Sequence, residues 1–224
     1  MLRTTEEWIE EYQRKDALWI HDGNPNRPHA LLTSGKHSNG FFNSRLVIPD
    51  EKLLVEAAYN LLSLLVPEGG NISQIKGVVG PQTGATKLAE LIHYAVIRIN
   101  EKSCFWASPS KGEVEGKKVM ILSDEDLSFF PQQNIQLCED VLTTGVSVDL
   151  TEAAVNSAGG IVLPFVLVLV NRSGLKEVSG KKIVALIDHP MPMWTPEECP
   201  LCKQGGEAIR PKDPQNWTRL NANY

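Results

Sequence analysis

The segment from residue 135 to residue 160 constrains the fold of this chain more than any other. It opens with a short apolar run, Ile135 to Cys138, which has the length and composition of a buried β-strand. Two adjacent carboxylates, Glu139 and Asp140, follow that run, and a turn rich in threonine, glycine and serine comes next. A helical pattern begins at Val148, and a pair of glycines ends it. The order predicts a strand with an acidic end, a small-residue turn and a helix.

Such a unit can bind a phosphorylated sugar. The first backbone amides of a helix, together with nearby hydroxyl groups, hold a phosphate. Carboxylates at the end of the strand can accept hydrogen bonds from ribose hydroxyls. The alternative is an ordinary buried strand whose acids cap the next helix. The strand, the acid pair, the small-residue turn and the helix follow one another in the order that phosphate binding requires. We therefore favour the phosphate-binding interpretation.

Composition limits the class of protein. Of the 224 residues, 42% are apolar and 22% are charged, which is ordinary for a globular α/β domain. The net charge of −5 argues against a nucleic-acid partner. No uninterrupted apolar stretch reaches about 18 residues, so we expect no membrane span. Four scattered cysteines and the lack of a signal-peptide pattern favour reduced thiols and a cytoplasmic location.

Apolar periodicity predicts that helices and strands alternate along the chain. Helices are expected at residues 5–20, 50–66 and 88–99, and after residue 147. Strands are expected at residues 74–80, 103–107, 118–122, 135–138, 161–171 and 182–188. Such alternation favours a parallel sheet covered on both faces, with ligands at the carboxyl ends of the strands.

A second strand-to-helix turn has a similar composition. The strand at 74–80 leads into Gly80-Pro81-Gln82-Thr83-Gly84-Ala85, and a helix follows. Glycine lets the backbone approach an anion closely. Alone, this would be an ordinary turn between a strand and a helix. However, this turn lies one βα unit before the Thr/Gly/Ser turn described above. That position predicts a second phosphate contact.

The two turns resemble those of type I phosphoribosyltransferases, and the similarity extends over roughly residues 30–205. The resemblance implies a Rossmann-like α/β core with a parallel sheet. It also implies a single domain, residues 1–224, whose small hood is built from roughly residues 1–48 and the C-terminal tail 189–224.

The resemblance assigns roles to both turns. Glu139 and Asp140 are implied to hold the ribose of phosphoribosyl pyrophosphate. Its 5′-phosphate would be held by Thr143, Thr144, Gly145 and Ser147, and its pyrophosphate by Thr83, Gly84 and Ala85.

Two features are similar to orotate phosphoribosyltransferases: the motif Thr33–Asn43, and Arg172 at the end of the strand 161–171. The resemblance implies that an aromatic ring and cations recognise orotate, which is a planar anion. The implied base-binding residues are Lys36, His37, Phe41, Phe42 and Arg172. The sequence leaves open which of Lys36 and His37 supplies the cation. Both phenylalanines are equally typical of core side chains.

Residues 107–118 depart from the family pattern. There the family carries a loop rich in arginine, lysine and histidine, which neutralises the departing pyrophosphate. Lys111 lies where a family lysine would, so the implied catalytic residues are Asp140 and Lys111. However, Ala107-Ser108 replaces the expected Arg-Lys, and no histidine follows. The acidic run at 123–126 would oppose catalysis if it faced the site, and would be harmless if it faced solvent.

The resemblance also implies Mg²⁺, carried with phosphoribosyl pyrophosphate and held mostly by substrate oxygens, and a homodimer. Cys199 and Cys202 form half of a possible zinc site. Zinc takes about four ligands, and the chain offers no second Cys pair. His189 is nearby in the sequence, so a zinc site that the cysteine pair shares with His189 or with another subunit stays an alternative. We favour a plain reduced pair, with no metal ligands from protein side chains.

The expected function is therefore that of an orotate phosphoribosyltransferase, a glycosyltransferase of pyrimidine biosynthesis that makes orotidine 5′-monophosphate and pyrophosphate. Two alternatives remain at this point. One is a phosphoribosyltransferase for another base, which Arg172 and the Thr33–Asn43 motif oppose. The other is a regulatory protein that binds phosphoribosyl ligands without catalysis, which the cation-poor stretch 107–118 supports.

Overall fold

The computed structural model describes residues 2–224. The helices are α1 (Thr5–Arg14), α2 (Glu51–Leu65), α3 (Thr86–Asn100), α4 (Asp124–Leu127), α5 (Val146–Ser157), α6 (Pro200–Lys203) and α7 (Pro214–Leu220). The strands are β1 (Leu18–Ile20), β2 (His29–Leu31), β3 (His37–Ser38), β4 (Gly40–Phe42), β5 (Gly77–Val79), β6 (Phe105–Ala107), β7 (Ser110–Val114), β8 (Lys117–Ile121), β9 (Asn134–Leu142), β10 (Ile161–Asn171), β11 (Glu177–Val178), β12 (Lys181–Asp188), β13 (Met193–Trp194) and β14 (Ala208–Ile209). None of the described helices has both the length and the apolar character needed to cross a bilayer.

The chain forms two compact units. The first contains the residues up to Trp8 together with Ile48–His189, and the second contains Ile9–Val47 and Pro190–Tyr224. The second unit is therefore built from two distant parts of the chain. The expected single domain with a hood stays a prediction.

The first unit contains a six-stranded sheet in the order β11-β12-β10-β9-β5-β6. Five of these strands are parallel, and only β11 runs antiparallel to its neighbour. Buried β-branched residues on β10, such as Val166 and Val168, pack in the core of this unit. Helices α2 and α3 pack against one another and against strands, and α5 packs against β9 and β10. The predicted α/β fold with a central parallel sheet is confirmed.

Two predictions need correction: the C-terminal bound of one helix, and the sheet to which one correctly predicted strand belongs. The helix expected at 5–20 ends at Arg14, because Asp16 adopts a left-handed conformation (φ 50°), and Leu18–Ile20 pairs with β4 instead. The strand expected at 118–122 exists as β8 but lies outside the central sheet. It pairs antiparallel with β7 as a separate hairpin, and it lies against α5.

The second unit contains a four-stranded sheet in the order β13-β3-β2-β14 and the pair β1-β4. Strands from the C-terminal segment flank strands from the N-terminal segment on both sides. The core of this unit contains Trp19, Leu32, Phe41, Ile209 and Leu220. The indole Nε1 of Trp19 donates a hydrogen bond of 2.7 Å to the carbonyl oxygen of Leu220. Hydrophobic packing and hydrogen bonds thus join the two segments.

A polar side chain lies in the middle of the central sheet. The register between β9 and β10 shifts near Pro164, a residue that lacks an amide donor and is found in sheets mainly at such irregularities. Gln136 is fully buried beside this shift. Its Nε2 donates to the carbonyl oxygens of Phe165 at 2.9 Å and Leu137 at 3.0 Å.

Replacing Gln136 by leucine should destabilise the protein, because both donated hydrogen bonds are lost inside the core. We expect Gln136→Leu to lower the free energy of unfolding by about 1–3 kcal/mol, measured by urea denaturation. Gln74→Leu is the control, since Gln74 is exposed. An unchanged denaturation midpoint for Gln136→Leu would contradict this account of the sheet.

Candidate active site

The acid pair lies within a central strand. Strand β9 continues through Glu139 and Asp140 to Leu142, because β10 pairs with it as far as Asn171. The expectation that the strand ends at residue 138 is therefore wrong. Glu139 is buried and Asp140 is half-buried. The backbone amide of Asp140 donates to Glu139 Oε1 at 3.2 Å.

The environment of the pair disfavours two negative charges. Burial raises the pKa of the Glu139 carboxyl well above its ordinary value, and the adjacent Asp140 shifts it in the same direction. Lys111 acts on the pKa of Glu139 in the opposite direction, but more weakly. A ligand that donates hydrogen bonds or brings a cation would relieve this repulsion.

The turn after β9 has a backbone that requires glycine. Gly145, the residue before α5, has φ 84°, and a Cβ there would lie 2.5 Å from Val178 Cγ2. The first amides of α5 have no acceptor within the helix, so they are available to an anion. The hydroxyl-bearing residues of this turn are Thr143 and Ser147, both half-buried, and Thr144, which is exposed.

The turn after β5 lies against the acid pair. A Cβ added to Gly84 would lie 2.4–2.5 Å from the carboxylate atoms of Asp140. Thr83, one residue earlier, is exposed, and its peptide bond with Gln82 is cis. Ala85 is buried and immediately precedes α3. The structure thus brings the predicted pyrophosphate turn and the predicted ribose-binding acid together.

Ser108 fixes this turn in place, a role that the sequence analysis missed. Its Oγ donates to the carbonyl oxygen of Gly80 at 2.8 Å and lies 2.7 Å from Thr86 Oγ1. The side chain of Gln82 adds a hydrogen bond to the carbonyl oxygen of Ser108 at 3.1 Å. Ser108 directly follows β6, which is the parallel neighbour of β5. This position in the sequence was the available signal that Ser108 would lie beside the turn after β5.

Lys111 belongs to a β-hairpin. It lies on β7, paired with Met120 of β8, and its side chain is exposed. The acidic run forms the first turn of α4, where negative charge is favourable. Asp124 and Glu125 of that run are exposed, as expected for charges that face solvent.

The predicted base-binding residues lie in both units. In the first unit, Arg172 follows β10 and is 1% exposed, and burial lowers its pKa to about 10. In the second unit, Lys36 is exposed, whereas His37, Phe41 and Phe42 are buried.

The buried members of this set have other contacts. Phe41 and Phe42 make edge-on ring contacts, with Trp217 and Tyr12 respectively. His37 Nδ1 lies 3.1 Å from His29 Nε2. Of the two basic residues considered for the base, Lys36 is therefore the solvent-accessible one. Base binding by these residues stays a prediction.

Comparison with known proteins places this arrangement in a class. No protein-family model matches the chain. The crystal structure of orotate phosphoribosyltransferase from Aeropyrum pernix superposes with a TM-score of 0.57 at 21% sequence identity, covering 80% of this chain and 91% of that one. The fold is that of the type I phosphoribosyltransferases.

Sequence similarity to two curated relatives identifies the family within this class. The orotate phosphoribosyltransferase of Pelotomaculum thermopropionicum is 34% identical over 185 residues, covering 82% of this chain and 87% of the relative. That of Heliobacterium modesticaldum is 31% identical over 183 residues, with 82% and 88% covered. The chain belongs to the orotate phosphoribosyltransferase family.

The raised pKa of Glu139 predicts a pH-dependent stability difference. The folded protein retains the Glu139 proton to higher pH than the unfolded chain, so the contribution of Glu139 to stability falls as the pH rises above about 4.5. The amide introduced by Glu139→Gln cannot ionise, so the variant escapes this loss. We expect Glu139→Gln to raise the melting temperature relative to wild type by at least about 2 °C more at pH 8 than at pH 5.

Differential scanning fluorimetry across this pH range measures the effect. Glu125→Gln, at an exposed position, should show the wild-type pH dependence. Parallel melting profiles for Glu139→Gln and wild type would contradict the assignment.

Proposed function

We propose that this protein transfers the 5-phosphoribosyl group from phosphoribosyl pyrophosphate to orotate, giving orotidine 5′-monophosphate and pyrophosphate. The observation that carries the proposal is the approach of Gly84 to the Asp140 carboxylate, where a Cβ would lie 2.4 Å from Cγ. This contact joins an anion-binding turn to a hydrogen-bonding acid pair, as a ribose pyrophosphate requires. The names of the relatives support orotate as the acceptor.

The donor would be held by groups on three adjacent segments. Glu139 and Asp140 would bind the ribose hydroxyls. A protonated Glu139 can donate as well as accept, which widens the range of hydroxyl contacts. The amides at the start of α5, with Thr143, Thr144, Gly145 and Ser147, would hold the 5′-phosphate. The turn Thr83–Ala85 would hold the pyrophosphate.

Chemistry at this site would depend on positioning and charge. The bond from the anomeric carbon to pyrophosphate breaks and a bond to the orotate nitrogen forms, so positive charge develops on the ribosyl ring. The Asp140 carboxylate, placed beside the ribose by the proposed binding mode, would favour that charge. Lys111, on its exposed hairpin, would balance the charge of the departing pyrophosphate.

Orotate carries a carboxylate and ring carbonyls that suit a guanidinium group. Arg172 remains protonated at neutral pH, since burial lowers its pKa only to about 10. Lys36 is the exposed cation of the Thr33–Asn43 motif, and we propose it as a second contact. His37, Phe41 and Phe42 are proposed to support the motif.

Magnesium fits the donor side of the proposal. Mg²⁺ prefers oxygen ligands and retains bound water, and the half-buried Asp140 carboxylate offers oxygen beside the pyrophosphate turn. The ion would supply charge neutralisation at the pyrophosphate, held mainly by substrate oxygens.

Self-association and location complete the proposal. A homodimer is supported by exposed apolar side chains on and beside the hairpin, at Val114, Ile121, Leu127 and Phe129. A cytoplasmic location is supported by the four cysteines, none of which forms a disulfide.

Adding a methyl group at Gly84 should weaken donor binding, because the new Cβ displaces the Asp140 carboxylate. We expect Gly84→Ala to lower the affinity for phosphoribosyl pyrophosphate by about 10-fold or more, roughly 1.4 kcal/mol, measured by calorimetry with magnesium present. Gly69→Ala is the control: Gly69 has φ 95° and open space around it, so the variant should be strained but bind normally. A folded Gly84→Ala protein with wild-type affinity would refute the assignment of the donor site.

Turnover tests the reaction itself. Pyrophosphate release should occur with orotate and not with adenine, guanine or uracil. Lys111→Ala should lower kcat by about 100-fold, and Lys117→Ala, on the same hairpin, should not. Release with a purine instead would identify a different phosphoribosyltransferase. Donor binding without release from any base would identify a regulatory protein.

A further inference from the structure

Four potential metal ligands meet in the second unit, and none of them belongs to the segments proposed to bind the donor. One ligand atom from each of His29, His37, Cys199 and Cys202 lies within 4.8 Å of all the others. The first three residues are buried and Cys202 is half-buried. From the sequence alone, His189 was the one further ligand considered for the Cys199 and Cys202 pair, since the chain has no second Cys pair. The structure instead supplies two histidines from a different part of the chain.

Hydrogen bonding alone does not account for the arrangement. His29 Nε2 lies 3.1 Å from His37 Nδ1, 3.3 Å from Cys202 Sγ and 3.5 Å from Cys199 Sγ. A ring nitrogen has either one hydrogen or one lone pair, so it can serve only one of these three partners well. A single cation between the four atoms would bind all of them at once.

Four of the separations come within about 0.4 Å of those in a tetrahedral zinc site. With Zn–N bonds of about 2.05 Å and Zn–S bonds of about 2.3 Å, two nitrogens lie about 3.3 Å apart, and a nitrogen and a sulfur about 3.6 Å apart. The two imidazole nitrogens are 3.1 Å apart. The nitrogen–sulfur distances are 3.2 Å from His37 to Cys202, and 3.3 and 3.5 Å from His29 to the two cysteines.

The backbone holds the four ligands in place. In the β2–β3 ladder Leu31 lies opposite His37, so His29, two residues earlier, is on the same face as a diagonal neighbour. Cys199 precedes α6, and Cys202 lies within that helix. The flanking strands β13 and β14 pair with β3 and β2, which brings the Cys-Pro-Leu-Cys segment to this sheet.

We propose that His29, His37, Cys199 and Cys202 bind one structural zinc ion. Two thiolates would balance its charge, and the donor set of two nitrogens and two sulfurs is one that zinc prefers. All four positions are filled by protein, so the ion has no open coordination site for substrate. Its role would be to join segments that are 170 residues apart, as are His29 and Cys199.

The test uses the full-length protein with any affinity tag removed, because a histidine tag binds metals itself. Elemental analysis after purification without added metal should find about one zinc per chain. Replacement by Co²⁺ should give the thiolate-to-cobalt charge-transfer band and the intense visible bands of tetrahedral coordination. A chelator should lower the melting temperature of the wild-type protein.

The double variant Cys199→Ser/Cys202→Ser should lose the zinc, and its melting temperature should not respond to the chelator. Cys104→Ser is the matched control, since this free thiol lies outside the cluster, and it should keep the metal. A wild-type protein without zinc and without a cobalt charge-transfer band would overturn the proposal, as would iron alone in the site or full zinc in the double variant. If the double variant fails to fold, the wild-type cobalt spectrum decides. None of these measurements depends on turnover.

Discussion

Placing two adjacent carboxyl groups in the central strand of a sheet is energetically unfavourable, and the rest of the first unit is arranged around that constraint. Strand β10 pairs with β9 at Glu139 and at Val141, which limits how far the backbone at the acid pair can move to relieve the repulsion, whereas β5 ends opposite Leu137. Burial raises the pKa of Glu139 instead. The unligated protein thus keeps a polar pair whose hydrogen-bonding capacity a polyhydroxyl ligand can satisfy. Burying the pair costs the fold some stability, which is the trade expected of a functional site.

The two turns next to the pair gain their geometry from the sheet. Parallel strands end at the same edge, so the residues after β5 and β9 necessarily meet there. Glycine at positions 84 and 145 allows backbone to approach where a side chain would collide. Ser108 then ties the end of β6 to the turn after β5. In contrast, Lys111 lies on an exposed hairpin outside the sheet. The groups proposed to bind the donor are thus held by the central sheet, whereas the proposed leaving-group cation lies on the separate hairpin.

Local sequence patterns predicted most of the helices and strands, whereas pairing between distant segments could not be read from the sequence. The β-branched run Ile161–Asn171 was assigned with the observed bounds, because its composition and length match a buried parallel strand. The predicted strand ended at residue 138 because acidic residues suggest the end of a strand. The observed strand continues to Leu142, because strand pairing uses backbone hydrogen bonds and does not depend on the acidic side chains. Residues 18–20 were assigned to a helix because the apolar spacing there fits both structures.

For the site, two turns and an acid pair were recognisable because each is contiguous in sequence. The contact of Gly84 with Asp140 follows from the parallel topology and could be expected. The clustering of His29 and His37 with the C-terminal cysteines could not, because no local pattern connects segments so far apart. A His in a short strand and a Cys-x-x-Cys pair each have several ordinary explanations. Only the pairing of β2 with β14 and of β3 with β13 brings them together.

That pairing has a consequence for biosynthesis. The ribosome makes residues 9–47 first, then the whole span of the parallel sheet, and only later the strands that complete the four-stranded sheet. The apolar side chains of residues 9–47 therefore lack their C-terminal packing partners while the intervening unit is translated. During that interval the nascent chain would be exposed to chaperones and proteases. A message truncated before codon 193 would encode all of the six-stranded sheet but neither β13 nor β14, so the four-stranded sheet could not be completed.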